Sequence, residues 1–596
     1  MDFISREDLS FLLHDWLRVG NLTDRPHFSE HSRETFDQIL DLSADFARDV
    51  FAPHFKAADI NEPQFVDGQI VIVPEVGQAL EDYAEAGFFA SAFPEALGGT
   101  GLPMVVSAAS FAHFCAANIA TSGYPMLTAA NARLLVEHGS PSQIDAWALP
   151  QIAGQYFGTM CLSEPQAGSS LADVRTQAQP DGEDDFGHRY RLRGNKMWIS
   201  GGDHDMSENI VHLVLAKAPG DDGVQIGGTK GISLFLVPKF LPDGTRNDVA
   251  VAGLNHKMGY RGTVNCLLNF GEEDGAIGWR VGDIGDGLAI MFQMMNEARI
   301  MVGLGAAALA YRGFTQSLDY ARERPQGRLP VDRGNPSSRQ RPIIEHADVK
   351  RMLMSQKAIA EGAMALVLFS AKLADEEKTA DSQEKRAEAS ALLGLLTPIT
   401  KSWPSEFGLI ANDHAIQIHG GYGYTREYDV EQIYRDNRLN PIHEGTNGIQ
   451  GLDFLGRKIL GDDGAAFALL RSRIEATIAV ADRDPNLSQM ALELCDYMAE
   501  GGRTLDKLQQ SKSDPAVLDN ASYVLSAFGH LVVAWLWLEQ AITASTLDDG
   551  RREMREAKLA TCRFFFECEL PKVSHLFSLS GSMNRAASAV PLSVFG

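Results

Sequence analysis

Tyr190-Arg191-Leu192-Arg193-Gly194-Asn195-Lys196-Met197-Trp198-Ile199-Ser200 interrupts a chain whose texture is helical on both sides. Its alternating and apolar steps read as a strand. Ile210 to Ala216, Ile232 to Val237 and Val264 to Phe270 are similar runs, set apart by Gly- and Asp-rich turns. They predict an antiparallel β domain of about a hundred residues that begins near Met160.

Working outward, residues 1 to about 155 read as helical, with Ala-rich periodic segments Glu81 to Ala90, Ser107 to Ala117 and Ala129 to Glu137. After Gly285-Asp286-Gly287 the helical pattern returns in Leu288 to Tyr320, Asp348 to Ala374, Ala387 to Ile399 and Pro404 to Ile418, long enough to pack as a bundle. A polar stretch from Gly327 to Pro342, with Pro330, Gly334, Asn335, Pro336, Ser337 and Ser338, reads as a surface insertion. Beyond Leu460 the amphipathic runs Phe467 to Ala481, Gln489 to Gly501, Val517 to Ala544 and Arg551 to Glu569 predict a further helical domain.

The 596 residues, 45% of them apolar, suffice for more than one buried core. A net charge of -25 repels phosphate backbones and anionic headgroups, which argues against nucleic acid or a membrane surface as principal partner. The six cysteines lack the two-residue gap of a zinc or redox motif, so no metal is expected and the thiols read as reduced and mostly buried. The most hydrophobic segment, Leu531 to Leu538, is short, and no signal peptide or membrane span is expected, which points to the cytoplasm.

Several residue groups carry chemistry, each with a plain structural alternative. In Tyr434 to Gln450 a single carboxylate, Glu444, sits on a turn beside Gly445 and just before Thr446. It reads as a catalytic base, or as an acid complementing the dipole of the helix that follows. Leu162, Ser163, Gly168 and Ser169 cluster hydroxyls and bare backbone that suit a phosphate or a flavin edge, or merely a turn. Trp198 and Ser200, two residues apart on a strand around Ile199, place an indole and a hydroxyl on one face, for a ring to lie on or for a core to bury. Arg324 with Gln326, and Gln417 with Gly420 and Gly421, combine polar groups and bare backbone at helix ends, as phosphate sites or as ordinary caps. Arg299 is a phosphate anchor or an exposed helix arginine.

Five motifs in order make the chain resemble the acyl-CoA dehydrogenase family over roughly residues 30 to 455. They are Leu162 to Ser169, Lys196 to Ser200, Lys257-Met258-Gly259-Tyr260-Arg261-Gly262, Gln417 to Gly423, and Arg435-Asp436 through Gly445-Thr446. The resemblance implies an α+β multidomain fold: an N-terminal helical domain (1–157), a middle antiparallel β-barrel-like domain (158–278), a C-terminal four-helix bundle (279–460) and an additional C-terminal helical domain (461–596). It implies FAD as cofactor and an acyl-CoA substrate, with Glu444 removing the α proton while hydride leaves the β carbon for flavin N5. It further implies that the main-chain N–H of Glu444 and a ribityl hydroxyl hold the thioester carbonyl, with Ser169 and Gly445 also on the substrate side. Leu162, Ser163, Trp198, Ile199 and Ser200 would seat the flavin ring, Gly168 and Ser169 the pyrophosphate or CoA side, and Arg299 the CoA. Arg324, Gln326, Gln417, Gly420, Gly421 and Thr446 would reach FAD, partly across subunits, hence a homodimer or higher oligomer.

The length and C-terminal extension resemble the long bacterial branch that includes 3-methylmercaptopropionyl-CoA dehydrogenases and fatty acyl-CoA dehydrogenases of β-oxidation, which pass electrons to electron-transferring flavoprotein. Ser163 and Ser200 stand where the family more often has Thr, Asn296 where many members have Asp, and His443 where the common pattern has Tyr. Gly448, Pro325 and the loop after it depart as well. The alternatives are an acyl-CoA oxidase, a flavin monooxygenase of the same fold, against which Glu444 argues, and a non-catalytic relative.

Overall fold

The computed structural model describes every residue except Met1, Asp221, Asp222, Gln225, Arg333, Pro336 and Asp463, and omits the side chains of Gln293, Met294, Met295, Asn296 and Asp332. Pro336 of the predicted loop and the Asn296 side chain therefore lie outside the described residues. The chain forms two compact units, one of Asp41–Leu102 and Ala117–Ala298, the other of Met1–Leu40, Pro103–Ala116 and Arg299–Gly596.

The first unit is organised by Asn209–Lys217, a strand buried along almost its whole length, which requires cover on both faces. The strands follow the order Ala276–Val281, Ile232–Pro238, Asn209–Lys217, Gln177–Asp184, Gly187–Ser200, Asn265–Phe270, Val249–Leu254. Ala276–Val281 also pairs with Gly187–Ser200, so part of the sheet closes on itself as the barrel-like reading requires. Leu213, Leu215, Leu234, Leu236, Trp279 and Val281 fill the core against Trp147.

Three features depart from the sequence reading. Tyr156–Cys161 is a strand that begins ahead of the expected change of texture and runs parallel, not antiparallel, to Asn209–Lys217. Asn131 explains how it is held: its Nδ2 donates to the carbonyls of Thr159 (2.9 Å) and Val211 (2.8 Å), one on each parallel strand. A hairpin, Gln64–Val66 with Gln69–Val71, lies within the stretch read as helical, turned by Asp67 (φ 51°) and Gly68 (φ 80°) as a two-residue Asp-Gly turn demands. The helices expected at Ser107 to Ala117 and Ala129 to Glu137 are parts of one, Met104–His138, interrupted at Asn118.

In the second unit Ala347–Thr379 and Gln383–His419 pack along their length, and the helix Gly287–Glu323 contributes its part from Arg299 onward. The approach is close: a Cβ on Gly303 would lie 2.1 Å from the Thr400 carbonyl oxygen. Ala521–Ser545 is almost wholly buried, and Trp537 Nε1 donates to the Ala358 carbonyl at 3.2 Å. A Cβ on Gly529 would meet Trp403 at 2.6 Å. Lys558 adds a buried ammonium that pairs with Asp8 and with Glu361 (3.0 Å). The helices after Leu460 thus share a core with the bundle.

Three helices, Met104–His138, Ala347–Thr379 and Ala521–Ser545, are long and apolar enough to cross a membrane, which the sequence reading did not anticipate. Their apolar windows are 83–89% buried inside the protein, so that length and apolarity serve its core.

Gly303→Ala is expected to destabilise by about 1–3 kcal/mol, because a methyl group there overpacks two backbones. Gly502→Ala in the helix Ser488–Gln510, where nothing lies within 4 Å, is expected to be neutral or to stabilise by about 0.5–1 kcal/mol. Thermal melts of both variants test this contrast, and equal effects would contradict the packing described.

Candidate active site

In the first unit the strand Gly187–Ser200 carries a register shift between Lys196 and Ile199. Trp198 falls within it and takes φ 66°, left-handed for a bulky residue. The bulge turns the indole outward, 58% exposed, while Lys196 and Ile199 on either side are buried. An exposed aromatic face on a strained backbone is suited to a planar ring.

Leu162 and Ser163 are tied to that strand. Met197 N–H donates to the Ser163 carbonyl (3.0 Å), and Lys196 Nζ donates to the Leu162 carbonyl (3.0 Å). Beneath them Lys196 pairs with Glu164 at 3.0 Å, both buried. Burial would raise the Glu164 pKa, but Lys196, the Thr176 hydroxyl and the N–H groups of Arg175 and Thr176 together hold it down at about 2. Gly168 and Ser169 are exposed, and a Cβ on Gly168 would meet nothing within 4 Å. Ser200 accepts from Asn265 Nδ2 (3.2 Å) and keeps its hydroxyl half-buried. Open space at Gly168, hydroxyls at Ser163 and Ser200 and an indole wall fit the isoalloxazine and phosphates of a flavin dinucleotide.

In the second unit Glu444 is also strained, at φ 52°, followed by Gly445 at φ 85°. Gly445 is needed for space as well, since a Cβ there would lie 2.6 Å from Gln450 Nε2. That amide donates to the Glu444 carbonyl at 3.1 Å, and Thr446 caps the next helix by accepting from Ile449 N–H. Burial raises the Glu444 pKa, opposed by the positive charges of Lys401 and Arg299.

His443 is held by a directional relay. Asn412 Nδ2 donates to the Leu309 carbonyl (2.9 Å), Asn437 Nδ2 to Asn412 Oδ1 (2.6 Å), and Asn440 Nδ2 to Asn437 Oδ1 (2.9 Å). Asn440 Oδ1 thereby faces His443 Nε2 (3.1 Å) as an acceptor, so the imidazole carries its proton on Nε2. Burial and Lys401 lower its pKa to about 3, which keeps it neutral at physiological pH.

Arg299 is buried, not exposed, and pairs with Asp453 at 2.8 Å. Lys401 is fully buried and its Nζ has no hydrogen-bond partner among the described residues. Burial lowers its pKa to about 7, with Glu444 opposing and Arg299 reinforcing the shift. Arg324 lies over the Tyr422 ring at 5.5 Å, which brings it to the turn of Gly420 and Gly421. Gln326, Gln417, Gly420 and Gly421 are exposed.

Residues 33–155, 159–272 and 285–460 match the families described as acyl-CoA dehydrogenase N-terminal, middle and C-terminal domains, and residues 470–591 match acetyl-CoA dehydrogenase C-terminal like. The chain is 34% identical to 3-methylmercaptopropionyl-CoA dehydrogenase of Ruegeria pomeroyi over 94% of each chain. It is 33% identical to the broad-specificity linear acyl-CoA dehydrogenase FadE5 of Mycobacterium tuberculosis over 95% of each. A structure of an acyl-CoA dehydrogenase complexed with FAD from Bacillus anthracis shares the fold, with TM-score 0.74 and 22% identity over 97% of this chain and 91% of that one. The chain belongs to the acyl-CoA dehydrogenase family.

Lys196, Glu164, Lys401 and the asparagine relay take roles that the residue types alone do not disclose. A signal was present for Lys401, the sole charged residue between Glu388 and Glu406. Lys196 has the same parity as Trp198 on the strand, and only the bulge sends one inward and the other out.

Glu164 binds its proton more weakly folded than unfolded, so its contribution is full above about pH 4.5 and is lost as pH falls toward 2, on the order of 3 kcal/mol. Glu164→Gln should flatten that acid limb in denaturant melts across pH. Lys196→Met leaves a buried carboxylate unanswered and should cost about 3–5 kcal/mol; a wild-type melt for it would contradict the pairing.

Proposed function

We propose that this chain is an FAD-dependent acyl-CoA dehydrogenase that converts an acyl-CoA thioester to its trans-2-enoyl-CoA, with Glu444 as the base. The carrying observation is the Glu444 carboxyl: strained backbone, half-buried, its pKa raised by desolvation above the ordinary glutamate value. A carboxylate in water is far too weak to remove a thioester α proton, and desolvation raises its basicity toward that task. FAD, when bound, supplies the acceptor for the hydride that leaves the β carbon.

The chain's own residues do the rest. The N–H groups at Glu444 and Gly445 orient the thioester carbonyl and stabilise charge as it develops there. Gln450, by pinning the Glu444 carbonyl, holds the turn that presents both groups. Trp198 walls the ring, with Leu162, Ser163, Ile199 and Ser200 along its edge, and Gly168 and Ser169 leave room for phosphates. For Arg299, burial against Asp453 favours a charge held near Glu444 over an exposed CoA anchor.

The relatives' names support a linear acyl-CoA or 3-methylmercaptopropionyl-CoA as substrate; the reading extends to a fatty acyl-CoA in β-oxidation with electrons passed to electron-transferring flavoprotein. Exposed Tyr422 and Tyr424 beside Arg324, Gly420 and Gly421 support a homodimer in which these residues reach a partner's FAD, together with Gln326 and Gln417. Among the described residues all six cysteines are free, in keeping with the cytoplasm.

Purified protein should show flavin absorbance, or acquire it on adding FAD. Acyl-CoAs of graded length and 3-methylmercaptopropionyl-CoA are then compared for bleaching. Glu444→Gln should retain FAD and lose bleaching by at least about a thousandfold, in the range seen when an essential catalytic group is removed; undiminished bleaching would remove Glu444 from the role. Because the base must be ionised, kcat/KM should rise with pH through a value above 4.5.

A further inference from the structure

Lys401 lies on the helix Gln383–His419, which packs against the two helices bracketing the Glu444 turn, Val430–Asn437 and Asn447–Leu452. It is fully buried, and among the described residues its ammonium donates to no acceptor. A buried ammonium left in that state is costly and gives up its proton more readily, unless a neighbouring negative charge supports it.

The charged groups around it are few. Arg299, from the helix Gly287–Glu323, is already answered by Asp453, which Arg457 also approaches at 3.5 Å. His443, next to Glu444 in the chain, stays neutral, with its tautomer set by Asn440. Of the groups whose charge reaches Lys401, Arg299 repels it and Glu444 attracts it.

We propose that Lys401 is a positioning residue for the base: its unpartnered buried ammonium holds the Glu444 carboxyl in the ionised, proton-accepting form before substrate arrives. This rests on the reading of Glu444 as the base. A desolvated carboxyl without a cation would take up a proton and lose its function at neutral pH. Lys401 leaves it ionised without a direct hydrogen bond that would compete for the lone pair needed for the α proton.

The test uses FAD-loaded protein and butyryl-CoA. In Lys401→Met the acid limb of kcat/KM should move upward by at least about one pH unit, a tenfold loss on the acidic side that is recovered at high pH. FAD content should be unchanged, and the thermal midpoint near pH 6 should stay or rise, since a buried charge that makes no hydrogen bond has been removed. Independently of turnover, the protonated-carboxyl infrared band lost in Glu444→Gln should appear at higher pH in Lys401→Met than in wild type. Lys401→Gln provides the same readouts should the Met variant fail to fold. An unmoved pH limb and an unmoved infrared midpoint, with a lowered melting temperature, would make Lys401 structural and overturn the proposal. Bleaching that survives Glu444→Gln would instead overturn the assignment of the base.

Discussion

Taking a charged side chain out of water costs several kcal/mol unless another charge or a set of hydrogen bonds answers it. The described structure is arranged around where those answers come from. Lys196 and Glu164 answer each other directly and fasten the loop carrying Leu162 and Ser163 to the strand carrying Trp198. Lys558 answers Asp8 and Glu361, so the N-terminal segment, the bundle and the C-terminal helices close over one cluster. At Glu444 the arrangement differs, because the nearby ammonium of Lys401 makes no hydrogen bond. Structural charges face an opposite charge directly; the candidate catalytic group is supported by a charge that makes no hydrogen bond among the described residues.

Backbone strain follows the same division. Six non-glycine residues among those described have positive φ, and Trp198 and Glu444 are two of them. Such conformations cost on the order of 1–3 kcal/mol and persist where the surroundings over-determine them. At Trp198 the determinant is the register shift in the strand pairing; at Glu444 it is the Gln450 amide and the Thr446 cap. At Trp198 the strain turns the indole outward while Lys196 and Ile199 stay buried.

The helical flanks and most strands were legible because periodicity reports which face is buried, and that information is local. The strand Tyr156–Cys161 was not, since a parallel partner fifty residues on and the Asn131 clasp are required to make it one. The hairpin at Asp67-Gly68 carried a usable turn signal that its Ala-rich surroundings obscured. The helices after Leu460 read as a further domain because amphipathicity shows that a face is buried, not what buries it; Trp537 and Gly529 reveal the bundle as the partner.

For the candidate site, the sequence by itself determined the residue types: one carboxylate beside a glycine, an indole near a hydroxyl, small residues where a phosphate needs bare backbone. Motif order tied these types to a family, and His443 stood out only as an oddity. Tertiary structure decided what each group is electrically. It made His443 a neutral donor at the end of an asparagine relay, buried Arg299 against Asp453, and set Lys401 where Glu444 attracts its charge. Protonation state and tautomer depend on distance, burial and the direction of hydrogen bonds, and those are set by segments far apart in the chain.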